Sequence, residues 1–351
     1  MSTRRHVPTA PLLQAARGET PSRTPVWFMR QAGRSLPEYR QAREGIAMLD
    51  SCFMPSLLAE ITLQPVRRHD VDAAILFSDI VVPLRAAGVG VHIEPGRGPV
   101  IDNPVRSLKD VHNLPILDTD IPEIQQGIGL ILEELSDQQA LIGFAGAPFT
   151  VASYLIEGGP SKNHELTKSI MRSQPELWHS LMERLTDTVI AFLSTQVDAG
   201  IDALQLFDSW AGFLTERDYR EYVLPYSTRI LAAFPQLPTI HFGVMTGEIL
   251  GAMAQAGSDV MGVDWRTPLD QAAQRIYDAA GPKVLQGNLD PALLFAGESV
   301  MEQEINLIKQ HAAAACAAGT ATAHIFNLGH GVLPTTNPDA ITRAVEIIHR
   351  S

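Results

Sequence analysis

Positive charge is scarce in this chain of 351 residues: 27 Lys and Arg stand against 39 Asp and Glu, a formal net charge of −12, with a pI near 5.3. That excludes broad affinity for nucleic acid or anionic lipid, since both need an extended basic surface. Cysteine is scarcer. Cys52 and Cys316 stand alone and far apart, without the paired spacing of a zinc site or a disulfide framework, which fits a reducing interior. No apolar run reaches the roughly 20 residues of a membrane span, and the early Arg4-Arg5 pair has no apolar stretch behind it to make a signal peptide. A soluble cytoplasmic protein is expected, with neither nucleic acid nor membrane as partner. Catalytic signatures are missing as well. The 11 histidines make no HxxxH or HxH set, no GxxxxGK[ST] or strand-following GxGxxG occurs, and Ser209 in FDSWAG lacks the GxSxG elbow.

What is present is apolar sequence in short pieces. With 45% hydrophobic and 19% charged residues, the chain can bury a large core. Eight runs bounded by turn residues read as strands: VWFM (26–29), AAILF (73–77), LIGFA (141–145), ALQLF (203–207), TIHF (239–242), VMGV (260–263), KVLQG (283–287) and HIFNL (324–328). Between most of them lie helical patterns. LWHSLMERLTDTVIAFLSTQVDAG repeats apolar residues at three and four and meets Gly200 where a helix would stop; TGEILGAMAQAGSD and PLDQAAQRIYDAAG read alike. Short strands alternating with amphipathic helices predict a helix-covered parallel sheet, and eight such units predict a (β/α)8 barrel. The early connections are longer, and GVGVHIEPGRGPVIDNPV (88–105) predicts a hairpin inserted after the second strand. The Ala-rich 312–323 reads as a packed helix and its turn.

In such a barrel the residues just after each strand form the active site. Here they are Arg30, Gln31, Ala32, Gly33 and Arg34; Ser78 and Asp79; Tyr154, reached through GAPFTVAS; Asp208 and Ser209; Asp264 and Trp265; Asn288 and Asp290; and His330 within GHGV. Arg30, Arg34, Arg40 and Arg43 concentrate positive charge within 14 positions of an acidic chain. Guanidinium forks over a barrel mouth point to carboxylate or phosphate ligands. Bland readings compete: Arg40 and Arg43 pairing with Glu38 and Glu44, Asp79 and Ser209 as helix caps, Tyr154 as a rim tyrosine, His330 as a turn histidine.

WFMRQAGRSLPEYR is identified as a signature of the uroporphyrinogen decarboxylase family, and FSDI, GAPFTVASYLIEGG, LFDSWAG, HFG, VDW, QGNLDP and NLGHGV follow in that family's order. The resemblance implies one distorted (β/α)8 domain over 1–351 with an amino-terminal extension (1–24). It also implies a homodimer, and removal of carbon dioxide from four substrate acetates with no metal or organic cofactor. It places the substrate carboxylates against Arg30, Arg34 and Arg43, with the backbone around Gln31, Ala32 and Gly33 helping. Asp79 would face the pyrrole N–H groups, while Tyr154, Ser209 and His330 would line the pocket. An arginine beside the reacting acetate, Arg30, is implied as proton source, although a guanidinium is a poor acid in water. Two alternatives remain on the same residues. Zinc-dependent methyltransferases share the overall pattern, but this chain has His241-Phe242-Gly243 where their His-x-Cys pair stands. A non-catalytic polyanion binder would need the arginines and not Asp79.

Overall fold

The computed structural model describes Arg5 and residues 7–350; of the expected amino-terminal extension, residues 1–4 and 6 lie outside the described residues. Seven strands form one sheet in which every pairing is parallel: β1 (Ala73–Ile75), β4 (Ala140–Gly146), β5 (Ala203–Asp208), β6 (Thr239–Gly243), β7 (Val260–Gly262), β8 (Lys283–Gln286) and β9 (Ala321–Ile325), in that spatial order. Between β1 and β4 the chain makes an antiparallel ribbon, β2 (Val91–Glu94) with β3 (Gly98–Ile101). It then adds the helices Leu108–Asn113 and Pro122–Glu134. β4 is buried along its whole length, as its unbroken apolar run requires when helices cover the outside and side chains fill the inside.

The stretch read as the first strand, VWFM, is no strand. It makes a single parallel bridge, Val26 to Phe326. The Trp27 N–H donates to the Phe326 carbonyl at 3.3 Å, and the Val26 carbonyl accepts from the Asp72 N–H at 2.8 Å on the other side. Residues 25–28 therefore bridge the two edges of the sheet and complete the barrel. The reason lies in its amides, two of which are taken by side chains: Val26 N–H donates to Asp72 Oδ2 at 2.8 Å and Met29 N–H to Asn327 Oδ1 at 3.1 Å. Asp72, fully buried, also meets Arg23 at 2.8 Å and His349 at 2.9 Å, tying the start and end of the chain to β1.

Other boundaries shift for local reasons. The helix Glu298–Ala317 stops short of Gly319, which has φ 71°, and β9 begins inside the Ala-rich stretch at Ala321, earlier than the apolar run suggests. Alanine favours helix by propensity, so in β9 tertiary position overrides it. The pattern in TGEILGAMAQAGSD yields only the short helix Leu250–Ala254. By contrast Pro175–Ala199 opens on proline and ends at Gly200 in the left-handed region, φ 109°, where a residue without Cβ has no steric penalty.

Inside the barrel, Trp27, Met29, Ile75, Ile142, Phe144, Ile240 and Phe242 share one cluster with Leu12 and Leu13 of the helix Pro11–Ala16, which packs against β9. A buried polar chain crosses this interior: Trp27 Nε1–H donates to Gln286 Oε1 at 3.0 Å, and Gln286 Nε2 to Gln205 Oε1 at 2.9 Å. Each buried amide thereby keeps a partner. A second, larger cluster fills the layer between sheet and helices.

Candidate active site

Parallel strands place all their carboxyl ends on one side, so the sequence-predicted residues share one end of the barrel. Arg30 adopts φ 61°, a conformation costing a non-glycine residue about 1–2 kcal/mol. The ring of contacts around it enforces this. The Val332 N–H donates to the Met29 carbonyl at 2.8 Å. A Cβ on Gly331 would stand 2.4 Å from Arg30 Cδ and 2.6 Å from its Cγ. The Arg30 stem thus lies directly on the Gly331 backbone, and only glycine fits. Gly329 is constrained in the same way: its Cβ would stand 2.2 Å from the Trp265 nitrogen. The two glycines of GHGV are explained by the close approach of Arg30 and Trp265, with His330 held between them.

Arg30, Asp79, Tyr154 and His330 form one electrostatic group. Burial pushes the Asp79 carboxyl up from its ordinary value, while the Val81 amide, the Arg30 guanidinium and the Ile80 amide hold it down. Asp79 Oδ1 accepts from the Val81 N–H at 3.0 Å, just ahead of the helix Val82–Ala86. That helix has Val81 at its N-cap with no side-chain cap hydrogen bond, so Asp79 is not the helix cap weighed from sequence; its bond to Val81 lies in the turn before the helix and fixes the carboxylate in orientation. Tyr154, on the helix Pro148–Glu157, packs against Trp210 with ring centroids 4.3 Å apart and planes tilted by 32°. Burial and the Asp79 charge push its phenol up, with Arg30 opposing. His330 is pushed down to about 4 by burial and by the Arg30 charge. Its Nδ1 accepts from the Gly331 N–H at 2.6 Å, so the neutral ring carries its proton on Nε2 and offers a donor.

The remaining arginines are not satisfied by carboxylates. Glu38 is taken by Arg68 at 2.6 Å, so the expected pairing of Arg40 and Arg43 with Glu38 does not form. Among the described residues Arg30, Arg34, Arg40 and Arg43 make no ion pair. Arg40 donates to the Arg34 carbonyl at 2.7 Å and Arg43 to the Ile46 carbonyl at 2.8 Å. Arg43 also lies 5.3 Å from the Tyr39 ring centroid, and the charges of Arg43 and Arg34 both hold the buried Tyr39 phenol down against its desolvation. Arg34, Arg40 and Arg43, without an ion pair among the described residues, together with Arg30, which faces the Asp79 charge, form a local concentration of positive charge on an acidic protein.

Gln31 faces away from any ligand. Its Oε1 accepts from the Phe28 N–H at 2.9 Å and its Nε2 donates to the Ala73 carbonyl at 2.9 Å, while its own amide donates to the Phe28 carbonyl. Its contribution is to hold the loop. The N–H groups of Ala32, Gly33 and Arg34 make no hydrogen bond among the described residues. Ser209 follows β5 beside Trp210, half-buried. His241 is buried in β6 and pushed down to about 4 by desolvation; among the described residues no group of three His, Cys, Asp or Glu side chains is placed to hold a metal. Sequence reasoning missed Thr150, whose hydroxyl donates to Asp208 Oδ1 at 2.9 Å and accepts from the Trp210 N–H at 3.3 Å. Its only signal was its place one turn before Tyr154.

Comparison with known proteins gives a consistent outcome. The sequence matches the family described as Uroporphyrinogen decarboxylase (URO-D) over residues 8–351. A protein of that name from Corynebacterium efficiens is 73% identical over 352 residues, covering 100% of this chain and 98% of the relative. One from Rhodococcus erythropolis is 62% identical over 352 residues, covering 99% and 98%. Among solved structures, a methyltransferase from Methanosarcina mazei superposes with a TM-score of 0.77 at 20% identity, covering 96% of each chain, a likeness of fold alone.

Proposed function

Because the chain belongs to the uroporphyrinogen decarboxylase family, and so is a carboxy-lyase that decarboxylates uroporphyrinogen in tetrapyrrole biosynthesis, we propose that the end of the barrel around Arg30 is where it does so. Arg30, Arg34 and Arg43 bind substrate carboxylates, helped by the unpaired Ala32 and Gly33 amides. Asp79 accepts from the pyrrole N–H groups, and Tyr154, Ser209 and His330 line the pocket. The observation that carries this reading is the run of arginines without ion pairs beside a carboxylate pinned by main-chain amides. A substrate with eight carboxylates supplies the missing counter-charge, and guanidinium forks pair with carboxylates bidentately.

The chemistry follows from the charges. A pyrrole acetate loses carbon dioxide only if the electron pair left behind is accepted. Protonation of a ring carbon makes the pyrrole cationic and provides that sink. Breaking the C–CO2 bond then leaves an exocyclic methylene on the ring, a second proton converts it to methyl, and the ring carbon returns its proton, so each carbon dioxide released consumes one proton. Asp79 stabilises the cation as it develops, in a site from which water is partly excluded. Arg30, whose charge acts on both Asp79 and His330, is the proposed group beside the reacting acetate. The protein works in the cytoplasm as a homodimer without metal or organic cofactor, a reading that rests on the family resemblance; sedimentation of the purified chain checks the dimer.

Anaerobic incubation with uroporphyrinogen and nothing added, followed by chromatography of the oxidised products, tests the reading. The four-carboxylate product, coproporphyrinogen, is expected, and with chelator present the yield is unchanged. Recovery of the eight-carboxylate species alone from folded protein would overturn it, and loss of turnover on chelation would favour a metal-dependent reaction.

A further inference from the structure

Side chains alternate along β5. Ala203 and Phe207 belong with the barrel interior and Gln205 joins its polar chain, whereas Leu204 and Leu206 pack in the helix-facing cluster. Asp208, next in the alternation, falls on the helix side. It is fully buried on that side of the strand. Its Oδ1 accepts from the Thr150 hydroxyl at 2.9 Å, and the same Thr150 oxygen accepts from the Trp210 N–H at 3.3 Å. Its Oδ2 has no hydrogen-bond partner. A buried carboxyl with one bare oxygen is unfavourable for stability, which calls for another reason for the residue. The hydrogen bonds supply one: Thr150 lies one turn before Tyr154 on the helix Pro148–Glu157, and the Tyr154 ring packs against Trp210 with centroids 4.3 Å apart. The Ala147 N–H at the helix entrance donates to the Phe207 carbonyl at 2.8 Å, a further tie between the same two segments.

We propose that Asp208 and Thr150 are positioning residues for the decarboxylation, a clamp that joins the Tyr154 helix to the Ser209–Trp210 turn and fixes where the Tyr154 ring stands. The inference rests on the reading of Tyr154 as part of the pocket. Asp208 touches no substrate; it orients Thr150, Thr150 holds the Trp210 amide, and Trp210 supports Tyr154. The carboxyl is pushed up to about 7 by burial, against the opposing Thr150 bond, so near neutrality it is not locked into the costly ionised form. A misplacement of about 1 Å at such a site costs up to about a hundredfold in rate.

The test is a double-mutant cycle on kcat. Thr150→Val removes the hydroxyl while keeping the shape; it lowers kcat about tenfold with KM changed by less than about twofold, within the cost of misplacing a pocket group. Thr150→Ser retains the hydroxyl and restores kcat to within about twofold of wild type, as the retained bond predicts. In the Tyr154→Phe background, which keeps the ring but lacks the phenol, Thr150→Val adds less than about a twofold loss, because what the clamp positions is the hydroxyl that ring carries. The same loss factor in both backgrounds, or wild-type kcat for Thr150→Val, overturns the clamp. A fully active Tyr154→Phe enzyme overturns the Tyr154 reading and with it the route by which the clamp acts, so the two failures are told apart by the single variants. Should Thr150→Val not fold, Thr150→Ala, smaller and free of any clash, is read in the same two backgrounds.

Discussion

Asp79→Asn isolates the charge that decarboxylation is argued to need. Asp79 is oriented by main-chain donors, its Oδ1 accepting from the Val81 N–H at 3.0 Å. An asparagine keeps its carbonyl oxygen on that amide, because its NH2 cannot face an N–H donor. The NH2 then stands where the wild-type protein presents its second carboxylate oxygen. The variant thus preserves the turn ahead of Val82–Ala86 and loses both the negative charge and the acceptor toward the pyrrole N–H groups. At about 4 Å and an effective dielectric of about 20, a carboxylate and a cationic ring attract by on the order of 4 kcal/mol. That is roughly a thousandfold in rate. The attraction exists only once the ring is protonated, so the loss falls on kcat; a drop of about two to four powers of ten is expected. Binding changes less, since removing a negative charge beside a polycarboxylate offsets the lost acceptor. The assay is anaerobic turnover at saturating uroporphyrinogen with binding measured separately. Because burial pushes the Asp79 carboxyl above its ordinary 3.8, the acid limb of wild-type kcat/KM lies above that value and is absent from the variant. Turnover within about threefold of wild type would refute the electrostatic argument and leave Asp79 as the anchor of that turn only.

Arg34 is exposed and makes no ion pair among the described residues, so Arg34→Ala leaves the melting temperature unchanged while weakening substrate binding; a charge-assisted hydrogen bond is worth about 1.5–3 kcal/mol, or roughly 10- to 150-fold in Kd. An unchanged KM with a lowered melting temperature would show a structural role instead. Stability also responds to acid. His69, His241 and His324 are pushed down to about 4 by burial. Their folded values lie below the unfolded value of 6.5, so between 6.5 and about 4 the unfolded state binds more protons, and stability present above that window is lost as pH falls through it. Asp208 acts in the opposite sense, because its raised value favours the folded state at low pH until it ionises at about 7. Asp208→Asn therefore steepens the acid loss. Denaturant titrations at several pH values between 4 and 7 measure both slopes, and a pH-independent unfolding free energy would refute the burial argument.

Local composition carried much of this molecule. Unbroken apolar runs separated by helical periodicity require strands buried on both faces, and β4 through β8 stand within a few residues of where those runs lie. Gly200 stops its helix for the backbone reason visible in the sequence. The carboxyl-end residues were legible because parallel strands must gather them on one side, whatever the details of closure. Patterns of that kind are short-range, and each is set by residues that are neighbours in the chain. What the tertiary structure alone decided depends on partners far apart. VWFM is reduced to a single bridge because Asp72 and Asn327, remote in sequence, take the amides a ladder would use. The arginine run stays without ion pairs because Arg68, thirty positions from Glu38, reaches that carboxylate first. The glycines around His330 are required by Arg30 and Trp265, which only the closed barrel brings against them. Asp208 and Ser209 are adjacent at the end of the same strand, yet strand alternation sends Asp208 to the helix side and Thr150, a role the sequence did not assign. Such roles are set by hydrogen bonds and contacts across the barrel, whose partners no local pattern in the chain can identify.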